Sequence, residues 1–128
     1  MTIKSVIFDF WKSILVTCVV MYLSLVSSKT FSNIPTFNHE DYLIHFLMYL
    51  GLTSTLMYDA RLHSLDSFKP TTNFFCVIFP FTLGGMLEVF QPIVSNRTAS
   101  WMDFLFNSLG VLIALSFFTY LRNLPSSK

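Results

Sequence analysis

Three pairs of polar residues recur at helical spacing: Asp41 and His45 (i, i+4), Glu88 and Gln91 (i, i+3), and Asp103 and Asn107 (i, i+4). Residues three or four apart share a helix face, so each pair presents two polar groups together. An aspartate beside an imidazole holds its tautomer and ring orientation, and Tyr49 continues the Asp41–His45 face one turn further on. A glutamate within an apolar run must be paired with a cation or protonated; Arg97 and His45 are the evident partners. Arg97 brings a permanent charge on a planar donor fork that suits a carboxylate or a phosphate. The set supports acid–base chemistry, with His45 oriented by Asp41 as base, Glu88 as acid and Arg97 stabilising developing negative charge. It equally supports binding of an anionic group by Arg97, with Glu88, Gln91 and Asn107 fixing its orientation. No serine or cysteine stands at an obvious nucleophile position, so water, His45 or a carboxylate would have to attack. Asp41, His45, Glu88 and Asp103 are conceivable metal ligands, but only one histidine lies inside an apolar run, and the expectation is no metal and no cofactor.

Plainer roles compete with these. Asp41 suits a helix N-terminus by charge alone. Ser100 followed by Asp103 is a capping-box arrangement. Glu88 paired with Arg97 or His45 would lock a bundle, and Arg97 is otherwise an ordinary loop cation. Asn107 is harder to set aside, because an amide cannot lose its polarity by protonation and needs partners when buried.

The elements that position these residues follow from composition. The 128 residues are 53% hydrophobic and 12% charged, with a mean hydropathy of +0.60. Soluble domains carry about 25% charged residues, and a chain this short has too little interior to hide so much apolar surface. The expectation is an all-α, polytopic membrane four-helix bundle forming a single domain, with helices over about 10–26, 43–58, 74–94 and 104–121. The net charge of +1 argues against a nucleic-acid partner. Trp11 and Lys12 suit an interface anchor for the first run. A cleaved signal peptide is the alternative there, with Ser27 and Ser28 near a cleavage site, although Asp9, Trp11 and Lys12 delay the apolar stretch unusually far. Gly84 and Gly85, and Gly110 with Ala114, allow close helix approach. Pro80 and Pro92 suggest a kink and a helix end. Cys18 and Cys76 read as packing residues, with no metal or redox motif around them.

Lys4, Lys12, Arg61, Lys69, Arg122 and Lys128 fall on one side of such a bundle, and Lys29 and Arg97 on the other. The first side is expected to be cytoplasmic, with both termini there. Asp41, His45, Glu88, Gln91, Arg97, Asp103 and Asn107 then all fall at the extracytoplasmic boundary. An ionisable group at such a place faces protein or water and usually has a task.

The runs Asp41-x-x-x-His45-Phe46-x-x-Tyr49, Glu88-x-x-Gln91 and Arg97-x-x-x-x-x-Asp103-x-x-x-Asn107-x-x-Gly110, in this order, resemble the VanZ-like family. The resemblance runs from about Asp41 to Gly110, with the four apolar runs agreeing around it. It implies a small integral protein of the bacterial cytoplasmic membrane, in a family with one member linked to low-level resistance to the glycopeptide teicoplanin. It implies no reaction mechanism, and membership does not require resistance. Three functions are compatible with these residues. The first is binding the headgroup of an anionic amphiphile, such as a polyprenyl-linked cell-wall precursor or a lipoglycopeptide. The second is an intramembrane hydrolase or transferase acting on such a lipid, with His45 and Glu88 as the acid–base pair. The third is a structural or assembly partner, which includes a homo-oligomer.

Overall fold

The computed structural model describes residues 7–26, 40–63, 70–95 and 98–123. Among them the long elements are all α-helical: α1 (Trp11–Leu25), α2 (Glu40–His63), α3 (Pro70–Val94) and α4 (Trp101–Asn123). Contacts between helix ends give the directions. Ser13 at the start of α1 bonds Asp59 near the end of α2. His45 near the start of α2 meets Glu88 late in α3 and Asn107 early in α4. Gln91 reaches Ser24 at the end of α1. Successive helices therefore alternate in direction, and α2 and α4 run parallel.

Three of the helices extend past the apolar runs. Glu40 and Asp41 occupy the first turn of α2, where negative charge offsets the helix dipole. At its other end α2 continues past the expected bound at 58, through Asp59, and buries it completely. Pro92 does not end α3: the helix runs on to Val94 and closes with the Ser95 amide donating to the Gln91 carbonyl at 2.9 Å. Proline lacks an amide hydrogen and so removes one hydrogen bond, and a single loss near a helix end is tolerated.

The closest helix pairing is α2 with α4, at Gly110. A methyl group on Gly110 would stand 2.5 Å from the Phe46 carbonyl oxygen and 2.8 Å from the Leu50 nitrogen, so only glycine permits this approach. Gly84 instead receives the Tyr49 ring, which would lie 3.2 Å from an added methyl. Val20, Tyr49, Leu52, Leu87 and Val111 pack as one apolar cluster, and Met57, Ala60 and Cys76 as a second nearer the end of α2.

The interior is as polar as it is apolar. Ten polar or charged residues are buried among the described ones, against nine hydrophobic ones, while Phe8, Leu15, Phe75, Val89, Ile93 and Trp101 are among many large apolar side chains facing outward. Soluble domains do the reverse, rarely burying acidic residues. By length and composition, Phe74–Val94 and Trp101–Asn123 can each cross a membrane, and α1 is a shorter apolar helix.

Candidate functional site

His45 is the centre of a buried polar cluster drawn from three helices. Its Nδ1 lies 2.9 Å from Asn107 Oδ1 on α4 and 3.8 Å from Glu88 Oε1 on α3. Its Nε2 lies 3.6 Å from Asp103 Oδ2 on α4. His45, Glu88, Asp103 and Asn107 are all under a tenth exposed. The Asn107 amide oxygen accepts from Nδ1–H, which leaves Nε2 facing Asp103. The spacings position the groups: Asp103 and Asn107 lie a turn apart on α4, so one ring is addressed at both nitrogens from a single helix face.

Ser100 ties the start of α4 to this cluster. Its backbone N–H donates to Glu88 Oε2 at 3.3 Å, and its hydroxyl accepts from the Asp103 N–H at 3.4 Å. The capping serine and the cluster thus meet at the start of α4, through the Glu88 carboxylate and the Asp103 N–H. Beside them, between α3 and the start of α4, lies a cleft of about 320 Å³. Its walls are Gly85, Val89, Ala99, Trp101 and Phe104, and Glu88 and Ser100 are its polar groups.

The other sequence candidates are placed as follows. Asp41 is exposed on the first turn of α2, and the imidazole meets Asn107 and Asp103 of α4 and Glu88 of α3. Tyr49 is fully buried, its ring against Gly84 and its hydroxyl without a hydrogen-bond partner. Gln91 is fully buried but turns to α1, donating to the Ser24 carbonyl at 3.1 Å, with its own carbonyl oxygen unpartnered. Arg97 lies outside the described residues.

A second polar cluster was not foreseen. Asp59 accepts from Lys12 Nζ at 3.2 Å through Oδ1, and from the Ser13 N–H at 3.1 Å and hydroxyl at 2.8 Å through Oδ2. The Lys12 ammonium also lies over the Trp11 and Tyr58 rings, 5.3 and 5.5 Å from their centroids. The signal for Asp59 was in the chain: Leu52, Leu56, Met57 and Ala60 continue an apolar helical face across it. The cleft left no such trace, because Ala99 and Trp101 mark nothing until α4 folds beside Glu88.

One donor atom from each of His45, Glu88 and Asp103 lies within 4.8 Å of the other two. They are the described residues that could together hold a metal ion. No family model, curated protein or solved structure matches this chain.

Proposed function

We propose that the chain is a VanZ-like multi-pass protein of the bacterial cytoplasmic membrane, with four spanning helices and both termini cytoplasmic. Its His45 end, on this reading, binds the anionic headgroup of an amphiphile at the outer leaflet. Support for the spans comes from the inverted burial pattern and from the side-to-side asymmetry of Lys and Arg. Lipid takes the place of water around the outward-facing Phe, Leu, Ile and Val side chains, and polar groups turn inward to satisfy one another.

The observation that carries the binding reading is the position of Glu88. It belongs to the buried His45 cluster and also lines the cleft, whose remaining surface is almost wholly apolar. A pocket with apolar walls and a few convergent polar groups suits an amphiphile. A tail can lie along Val89, Trp101 and Phe104 while the head reaches Glu88 and Ser100. An anionic head needs positive charge beside two carboxylates, and Arg97, in the join between α3 and α4, is the residue assigned to it.

Lipid retained by the purified protein, read by native mass spectrometry, tests this. Arg97→Lys keeps the charge but loses the fork, so retention should fall in that variant and fall further in Arg97→Ala. Unchanged lipid in both would remove the reading. Glu88 facing both the imidazole and the cleft also favours a second function, hydrolysis or transfer on a lipid-linked substrate with His45 and Glu88 as the acid–base pair. Turnover of a bound lipid that stops in His45→Gln while lipid is still retained would select it.

A further inference from the structure

We infer that His45, Glu88 and Asp103 form a binding site for a first-row divalent cation of the zinc or manganese class. Each residue offers one donor atom, all three donors lie within 4.8 Å of one another, and all three residues are buried. Metal–ligand bonds of about 2.0–2.2 Å put neighbouring donor atoms on the order of 3–4 Å apart. Nε2, the ring nitrogen not taken by Asn107, already stands 3.6 Å from Asp103 Oδ2, while the 3.8 Å contact of Glu88 is to Nδ1. The Nε2–Asp103 contact is too long for a good hydrogen bond and of the right span for two ligands of one ion. One nitrogen and two oxygens, with no thiolate, select zinc or manganese over a soft ion such as Cu(I).

Two further observations point to an ion at this cluster. The Nδ1–H of His45 is taken by Asn107 at 2.9 Å, the outer-shell hydrogen bond that fixes a ligating imidazole with its other nitrogen toward the metal. In addition, the Tyr49 hydroxyl is fully buried and has no partner, and its ring packs at Gly84 beside the Asn107 amide. A water or hydroxide on the ion would give that hydroxyl a partner. Three protein ligands leave at least one coordination position open, the arrangement of a working site rather than a structural one. Glu88 directs that position to the cleft.

The inference deepens the amphiphile reading and rests on it only for what the ion touches. A divalent ion turns a carboxylate-lined site into one that attracts an anionic head, and a phosphate oxygen is a suitable ligand for the open position.

The test uses the full chain in detergent, stripped with a chelator and dialysed against Zn²⁺ or Mn²⁺. Metal content is read by mass spectrometry, and folding by circular dichroism and gel filtration. The wild type should take up about one ion per chain, and Asp59→Asn, at the opposite end, should do the same. Asp103→Asn and His45→Gln should lose the ion. Asn107→Ala should weaken it by about 10- to 100-fold. Uptake by the wild type needs no folded variant: a wild-type chain that binds neither ion overturns the site. Retention at wild-type affinity in a folded Asp103→Asn overturns it as well. Ion binding without co-purified lipid leaves the ion site standing and ends the amphiphile reading; lipid without ion does the reverse.

Discussion

Asp59 at one end of the bundle and His45 at the other are both buried polar groups, but their surroundings are built differently. Asp59 has an answer at each oxygen: Lys12 on Oδ1, and two Ser13 donors on Oδ2 at 2.8 and 3.1 Å. His45 has one short contact, to Asn107, and two longer ones to carboxylates. Beside it are an unpartnered tyrosine hydroxyl and a cleft. A fully answered network holds helices in place, whereas one with spare capacity next to open space is prepared for something else. The contrast sets a lock against a candidate site within one small bundle.

The largest effect should come from breaking the lock. Asp59→Ala leaves Ser13 N–H and Lys12 without their acceptor. Removing one partner of a buried pair costs about 3–5 kcal/mol, and the lower figure applies because the Lys12 side chain is 37% exposed and can reach water. Thermal unfolding in detergent reads it; a change below about 1 kcal/mol would mean Asp59 holds nothing together.

Next in size is Gly110→Ala, which forces α2 and α4 apart at the level of the site. Overpacking of this kind costs about 1–3 kcal/mol, and lipid or ion retention should fall with it because Asn107 and His45 sit on the separated helices. Gly51→Ala is the matched control, since nothing lies within 4 Å of an added methyl there. It should be neutral or stabilise by up to about 1 kcal/mol.

Glu88→Gln should cost about 1 kcal/mol, well below Asp59→Ala, because the amide still accepts from Ser100 N–H. Its main consequence should be on ligand retention. The smallest effect is expected of Tyr49→Phe, which removes a buried hydroxyl that has no protein partner. Stability of the stripped protein should stay within about 0.5 kcal/mol. A large loss would show that the hydroxyl is answered within the protein after all.

The same two ends explain how much could be read from the chain. His45, Glu88, Asp103 and Asn107 stood out because each is a polar residue in or beside an apolar run, and helical spacing with alternating helix direction brings them to one level. Asp59 falls just past the helix expected over 43–58, because Arg61, His63, Asp66 and Lys69 follow it closely and local charge density masks a buried helical position. The contacts of His45 with Asp103 and Asn107 depend on the depth at which α2 and α4 cross. The contact at Gly110 sets that depth, and periodicity along one helix carries no information about it. Gln91 shares a face with Glu88 yet turns to Ser24, because helix spacing fixes a direction only to within the reach of a long side chain.

The most direct measurement compares lipid retention in Glu88→Gln and Lys12→Ala, one variant from each end, by native mass spectrometry of protein shown to be folded. Lys12→Ala should carry the wild-type complement of anionic amphiphile even with a lowered melting temperature. Glu88→Gln should lose most of it with a smaller change in stability. Equal retention in both, or losses that simply follow stability, would contradict the separation of lock from site and leave the His45 cluster as a second means of holding the helices together.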